Sequence, residues 1–173
     1  MIVGFDCSSA KAGWCSLNAE GLPIAGSLGG MRIDKSHLAA SIRQAVWAVE
    51  AHVNSIWVLA RSLELPRGEM QAHTVSLLNT VEGMVRMAIF ERTGLEPVLV
   101  NERSMRSLVG YRRPPPNSPK SAVKAAVRRC FELANPGHPI LTTKPVWLDD
   151  ILDAWAIARG YWTALRDAQR GLF

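Results

Sequence analysis

Apolar and polar positions along the chain change period several times, and each change marks an element. Residues 2–8, 12–18 and 24–33 alternate or run apolar, with Gly, Asn and Pro between them. This pattern predicts three antiparallel strands joined by short turns. Over 37–53 the period becomes helical: Leu38, Ile42, Val46, Val49 and Val53 share a face, behind an expected N-cap at Ser36. Ile56-Trp57-Val58-Leu59 opens a fourth strand, predicted to run to Leu65, where Pro66-Arg67-Gly68 breaks it. Val75, Leu78, Val81, Val85 and Ala88 mark the buried side of a long helix over 70–91, and Gly94 ends it.

Pro97 to Val100 reads as a short fifth strand, and 104–109 as a helical turn. The prolines between Gly110 and Pro119 exclude regular structure and predict an exposed loop. Helices over 120–133 and 146–169 complete the chain, the first stopped by Asn135-Pro136-Gly137. There is no internal repeat and no long linker. The expected architecture is a single α/β domain over 1–173: a mixed five-stranded sheet, three strands antiparallel and the others parallel, flanked by helices.

Composition narrows the function classes. At 173 residues and 48% hydrophobic content the chain suffices for one real core. No run approaches the roughly 20 apolar residues of a membrane span. No basic, apolar leader pattern precedes the first strand. Cys7, Cys15 and Cys130 form no CxxC pair and are expected as reduced, mostly buried thiols, so the expected compartment is the cytoplasm. No Walker A sequence is present, so no nucleotide cofactor is expected. His37, His52, His73 and His138 lack zinc-ligand spacing, and the six tryptophans mostly sit among apolar neighbours that suit core packing.

The net charge of +5 is mild, but its distribution is not. Arg103, Arg106, Arg112, Arg113, Lys120, Lys124, Arg128 and Arg129 fall in one segment without an acid, leaving twelve basic against fifteen acidic residues elsewhere. Lys120, Lys124 and Arg128 recur at i, i+4 and i+8, forming a stripe opposite Val123, Val127, Cys130 and Phe131. With Arg112 and Arg113 on the preceding loop, this stripe suits a phosphate backbone. A solvated helix face is the ordinary explanation of any one of these residues. Eight together favour DNA.

Four acids stand out: Asp6, Glu64, Asp150 and Asp153. Asp6 ends an apolar strand, where a bare carboxylate costs several kcal/mol unless its charge is compensated. Glu64 falls near the end of strand four, so the two would emerge together if those strands are neighbours. Asp150 and Asp153, three residues apart, share a helix face, although Asp149 could pair with Asp153 at i,i+4 instead. Taken singly, Asp149 and Asp150 suit the first turn of any helix, and Glu64 suits an exposed strand. Taken together, and with the basic segment, they are better explained as ligands of two Mg²⁺ ions that handle phosphate, with Mn²⁺ able to substitute.

The motifs carry a family resemblance. Ile2 to Leu17, with Gly4-Phe5-Asp6-Cys7-Ser8-Ser9 and then Gly13-Trp14, resembles the first motif of RuvC-type Holliday junction resolvases. Asp150-Ile151-Leu152-Asp153-Ala154 resembles their last motif, and Gly110 followed by Lys120-Ser121-Ala122-Val123 their Gly-then-Lys-Ser segment. The resemblance implies an RNase H-like fold and a metal-dependent endonuclease acting as a homodimer on four-way DNA, with the 70–91 helix as candidate dimer contact. By motif position it implies Asp6, Glu64, Asp150 and Asp153 as metal ligands, and Lys120 near the scissile phosphate. The Arg- and Pro-rich stretch between Gly110 and Lys120 departs from the pattern as an insertion. Arg67 stands close to where some members carry an aromatic wedge. Such departures would suit a divergent, phage-like member. Two other readings remain: a nuclease for flaps, forks or hybrids, and a junction-binding module with a degenerate site.

Overall fold

The computed structural model describes residues 1–52, 54–61, 72–115 and 117–171. Its strands are β1 (Ile2–Cys7), β2 (Lys11–Leu17), β3 (Pro23–Arg32), β4 (Ile56–Ala60) and β5 (Val98–Val100). They form one sheet in the order β3-β2-β1-β4-β5. β1, β2 and β3 make an antiparallel meander, β4 runs parallel to β1, and β5 runs parallel to β4. This is the expected mixed α/β sheet. The helices are α1 (Leu38–Ala48), α2 (Ala72–Thr93), α3 (Glu102–Leu108), α4 (Lys120–Ala134), α5 (Ile140–Thr143) and α6 (Leu148–Gln169).

The period-two alternation of the strands sorts the core into two layers. Val3, Phe5, Ala12, Trp14, Trp57 and Leu59 face α1 and α2. Ile2, Cys15, Leu17, Val58 and Val100 face the opposite way, against α4 and α6. Along β1, Asp6 shares the parity of Ile2 and Gly4, which assigns its side chain to the α6 layer.

Several boundaries differ from expectation for identifiable reasons. Asp34, not Ser36, provides the cap before α1; its carboxylate accepts from the Ser36 amide, and a 3-10 turn over Lys35–His37 intervenes. α1 stops at Ala48 because Val49 adopts an extended backbone while staying buried, so the apolar period outlasts the helix. β4 ends at Ala60; the expected continuation to Leu65, the break at Pro66-Arg67-Gly68 and Glu64 lie outside the described residues. The turn at 104–109 is a seven-residue helix, α3, capped by Asn101, whose side chain accepts from the Ser104 amide. α5 was not signalled by any periodic pattern. Trp47 departs from the core role of the other tryptophans and is 59% exposed. Among the described residues no helix is long and apolar enough to cross a membrane.

Candidate functional site

The site is assembled by a seam without side chains. A Cβ on Gly4 would lie 2.0 Å from the Ala154 carbonyl oxygen, and one on Gly13 would lie 2.4 Å from the Asp150 carbonyl oxygen. Helix α6 therefore rests backbone to backbone on β1 and β2. Asp6 pairs in register with Gly13, so this contact carries the start of α6 to the Asp6 carboxylate. Gly160 plays the same part further along, where a Cβ would meet the Met105 carbonyl oxygen at 2.4 Å and α3 closes on α6. We expect Gly13→Ala to force α6 outward, costing about 1–3 kcal/mol of stability. Thermal melting of that variant checks this expectation.

Asp6, Asp150 and Asp153 interact electrostatically in this corner. Burial, then the charges of Asp153, Glu102 and Asp150, push the Asp6 carboxyl up to about 8 from an ordinary 3.8. Asp153 is raised to about 6, chiefly by burial, with Arg106 pulling in the opposite direction. Asp150 Oδ2 is buried without a hydrogen-bond partner. Lys11 Nζ lies 3.6 Å from it, an ion-pair distance too long for a hydrogen bond. Asp149 turns aside to Lys124 Nζ at 2.5 Å, while the charge of Asp150 acts on Asp6.

Three residues enter the cluster whose part in it the sequence patterns did not signal: Arg106, Glu102 and Lys11. The Nη2 of Arg106 donates to Asp153 Oδ1 at 2.6 Å and pairs with Glu102 Oε1 at 2.5 Å. The signal available was Glu102 and Arg106 at i, i+4 directly after a strand, but that spacing is ordinary on helices. Lys11 is delivered by a rigid turn in which Ser8 Oγ accepts from the Lys11 amide at 3.1 Å.

Hard oxygen donors, one of them orphaned and another held at raised pKa by burial and then by neighbouring acids, fit a divalent cation of the Mg²⁺ type. Among the described residues no group of three or more His, Cys, Asp or Glu is already gathered tightly enough to hold a metal ion. Arg106 bridges Asp153 and Glu102 instead, and Lys11 stands beside Asp150. A cleft of about 410 Å³ opens beside Asp6, with Arg61, Asn101, Glu102 and Arg103 on its wall.

The basic segment divides into two sets. Lys124 pairs with Asp149, which docks the first half of α4 beside the start of α6. Arg128 pairs with Glu132 at 2.9 Å. Both are thus partly neutralised, and the segment lacks acids only in sequence. Arg112, Arg113 and Lys120 are exposed and, among the described residues, pair with no acid.

A mixed sheet in this order, with helices on both faces and acids at the junction of β1 and α6, defines an RNase H-like fold. No family model matches the sequence, and neither does any curated protein. Solved structures do. The structure of RuvC from T. thermophilus in complex with a Holliday junction substrate is similar over 96% of this chain and 95% of that chain, with a TM-score of 0.61 at 15% identity. A second Thermus thermophilus RuvC structure covers 96% of both chains, with a TM-score of 0.50 at 16% identity. The fold of this chain is the RuvC fold, as the sequence resemblance implied.

Proposed function

We propose that this chain is a metal-dependent endonuclease that resolves four-way DNA junctions by paired symmetric nicks. The observation that carries the proposal is the convergence of Asp6, Asp150 and Asp153 where α6 rests on β1, in a fold shared with a junction-bound protein. Asp6, Asp150 and Asp153 would hold two Mg²⁺ ions, together with Glu64 by its motif position. Bound Mg²⁺ would supply the positive charge that activates a water and stabilises the leaving oxygen of a phosphodiester. The raised pKa of Asp6 means that its carboxylate gains most from such a charge. Arg112, Arg113 and Lys120 would track the DNA backbone and fix its register, with Lys120 nearest the cut.

A homodimer would present two such sites to the two opposed strands of a junction. On α2, Gly83, Met87 and Phe90 share one helical face, and Met87 and Phe90 are 59% and 49% exposed. This face is the candidate contact between subunits. Phe90→Asp is expected to shift the protein towards monomer in sedimentation and to uncouple the two nicks, leaving singly nicked junctions.

One feature favours a second reading, a module that binds junctions without cutting them: Arg106 already neutralises Asp153. Incubating a labelled immobile four-way junction with Mg²⁺, beside linear duplex, flap and fork, separates the readings. Paired nicks confined to the junction support the resolvase. Binding without product supports the module, and faster cutting of flap or fork moves the chain to a broader branched-DNA nuclease.

A further inference from the structure

Arg106 stands where the acids of the site meet. One nitrogen, Nη2, serves both Asp153 and Glu102. Its side chain is only 17% exposed, and its Nε is buried without a partner. The charge of Asp6 also acts on it. A guanidinium with a surplus buried donor, surrounded by three carboxylates, occupies the electrostatic position of a cation.

The backbone beneath Arg106 has no room to move towards α6, because Met105 already abuts Gly160. Arg106 can therefore release Asp153 only by swinging its side chain. Glu102, one turn away on the same helix, is placed to keep hold of it. The Tyr111 ring, its centroid 6.0 Å from the guanidinium carbon, offers the guanidinium a further face.

We infer that Arg106 is a resident counter-ion of this site, and that a divalent cation binds Asp153 only by displacing it onto Glu102. The inference rests on the metal-dependent reading above. It makes Arg106 a positioning residue: it keeps Asp153 compensated before metal arrives and sets the metal concentration at which the site loads.

The test is a Mn²⁺ titration of the full chain without DNA, followed by the electron paramagnetic resonance of free Mn²⁺. Arg106→Gln is expected to bind Mn²⁺ about tenfold more tightly than the parent, since a charge competing at contact distance is removed. Arg103→Gln removes an equal charge on the same helix that, among the described residues, pairs with no acid of the site, and should change affinity less than about twofold. Arg106→Lys, which keeps the charge but loses the planar fork, should fall between the parent and Arg106→Gln and serves if the Gln variant does not fold. Unchanged or weaker binding in Arg106→Gln, or an equal gain in Arg103→Gln, overturns the inference. Asp153→Asn separates this failure from that of the parent reading. If Mn²⁺ binding survives Asp153→Asn intact, or if neither the parent nor Arg106→Gln binds Mn²⁺, the metal assignment itself is wrong. If Asp153→Asn abolishes binding and Arg106→Gln does not tighten it, only the counter-ion role is lost.

Discussion

Replacing Asp6 with Asn is expected to abolish junction cleavage, by about 10³-fold or more, and at the same time to make the protein more stable above neutral pH. Both effects have one cause. The Asp6 carboxyl is raised to about 8 by burial and by the charges around it, so ionising it costs free energy that the unfolded chain does not incur. Between about pH 4 and pH 8 the folded protein holds a proton that the unfolded chain has released, and stability falls as pH rises through that window. Asn keeps the shape and removes the charge. After relaxation the gain is on the order of 2–3 kcal/mol at pH 8, or about 5 °C in melting temperature, and close to nothing at pH 4. Mg²⁺ should produce a similar rise in the parent and little in Asp6→Asn. A melting series over pH, with and without Mg²⁺, reads both. Equal melting temperatures for parent and variant at pH 8 would remove the electrostatic account of this carboxylate.

The second large effect concerns DNA affinity. Changing Arg112, Arg113 and Lys120 together to Gln is expected to weaken junction binding about 10–100-fold at moderate salt. It should also lower the slope of log affinity against log salt by about 2–3, one step for each phosphate that is no longer neutralised. Lys124→Gln should change the slope less, because Lys124 is held by Asp149 and its charge is partly used within the protein. Its effect should appear instead as a lower melting temperature, from the loosened packing of α4 on α6. If Lys124→Gln alone altered the slope as much as the triple variant, the division of the basic segment into engaged and available residues would be wrong.

The fold was legible because strand alternation and helical periodicity are strong in this chain, and because the first and last motifs sit on its best-defined elements. That Asp6, Asp150 and Asp153 lie in one corner was legible for the same reason: an acid at the end of an apolar strand and two acids on an apolar helix contradict their surroundings. Glu64 lies outside the described residues, so its place beside them rests on motif position. What the sequence withheld was pairing across elements. Lys124 and Arg128 form one stripe with Lys120 on a helical projection, yet Asp149 and Glu132 partly neutralise two of the three. Arg106 looked like one more basic residue of a DNA-binding segment, and only the approach of α3 to α6 turns it inward. Even the end of α1 was hidden, since burial of Val49 continues the apolar rhythm after the helical backbone has stopped.

The seam between α6 and the sheet has a consequence for how such a chain can diverge. Its closest approaches depend on what Gly4, Gly13 and Gly160 lack, and on the small Ala154 and Ala158 opposite Gly4. Spacing set by backbone contact places demands on a handful of positions and leaves the surrounding core open to exchange, provided volume is kept. Shape can then outlast sequence. That is the condition in which a chain shares an architecture over 96% of its length with a protein to which it is 15% identical. Substitutions that enlarge those few small residues should be the least tolerated changes in the layer, well ahead of swaps among the large aliphatic residues around them.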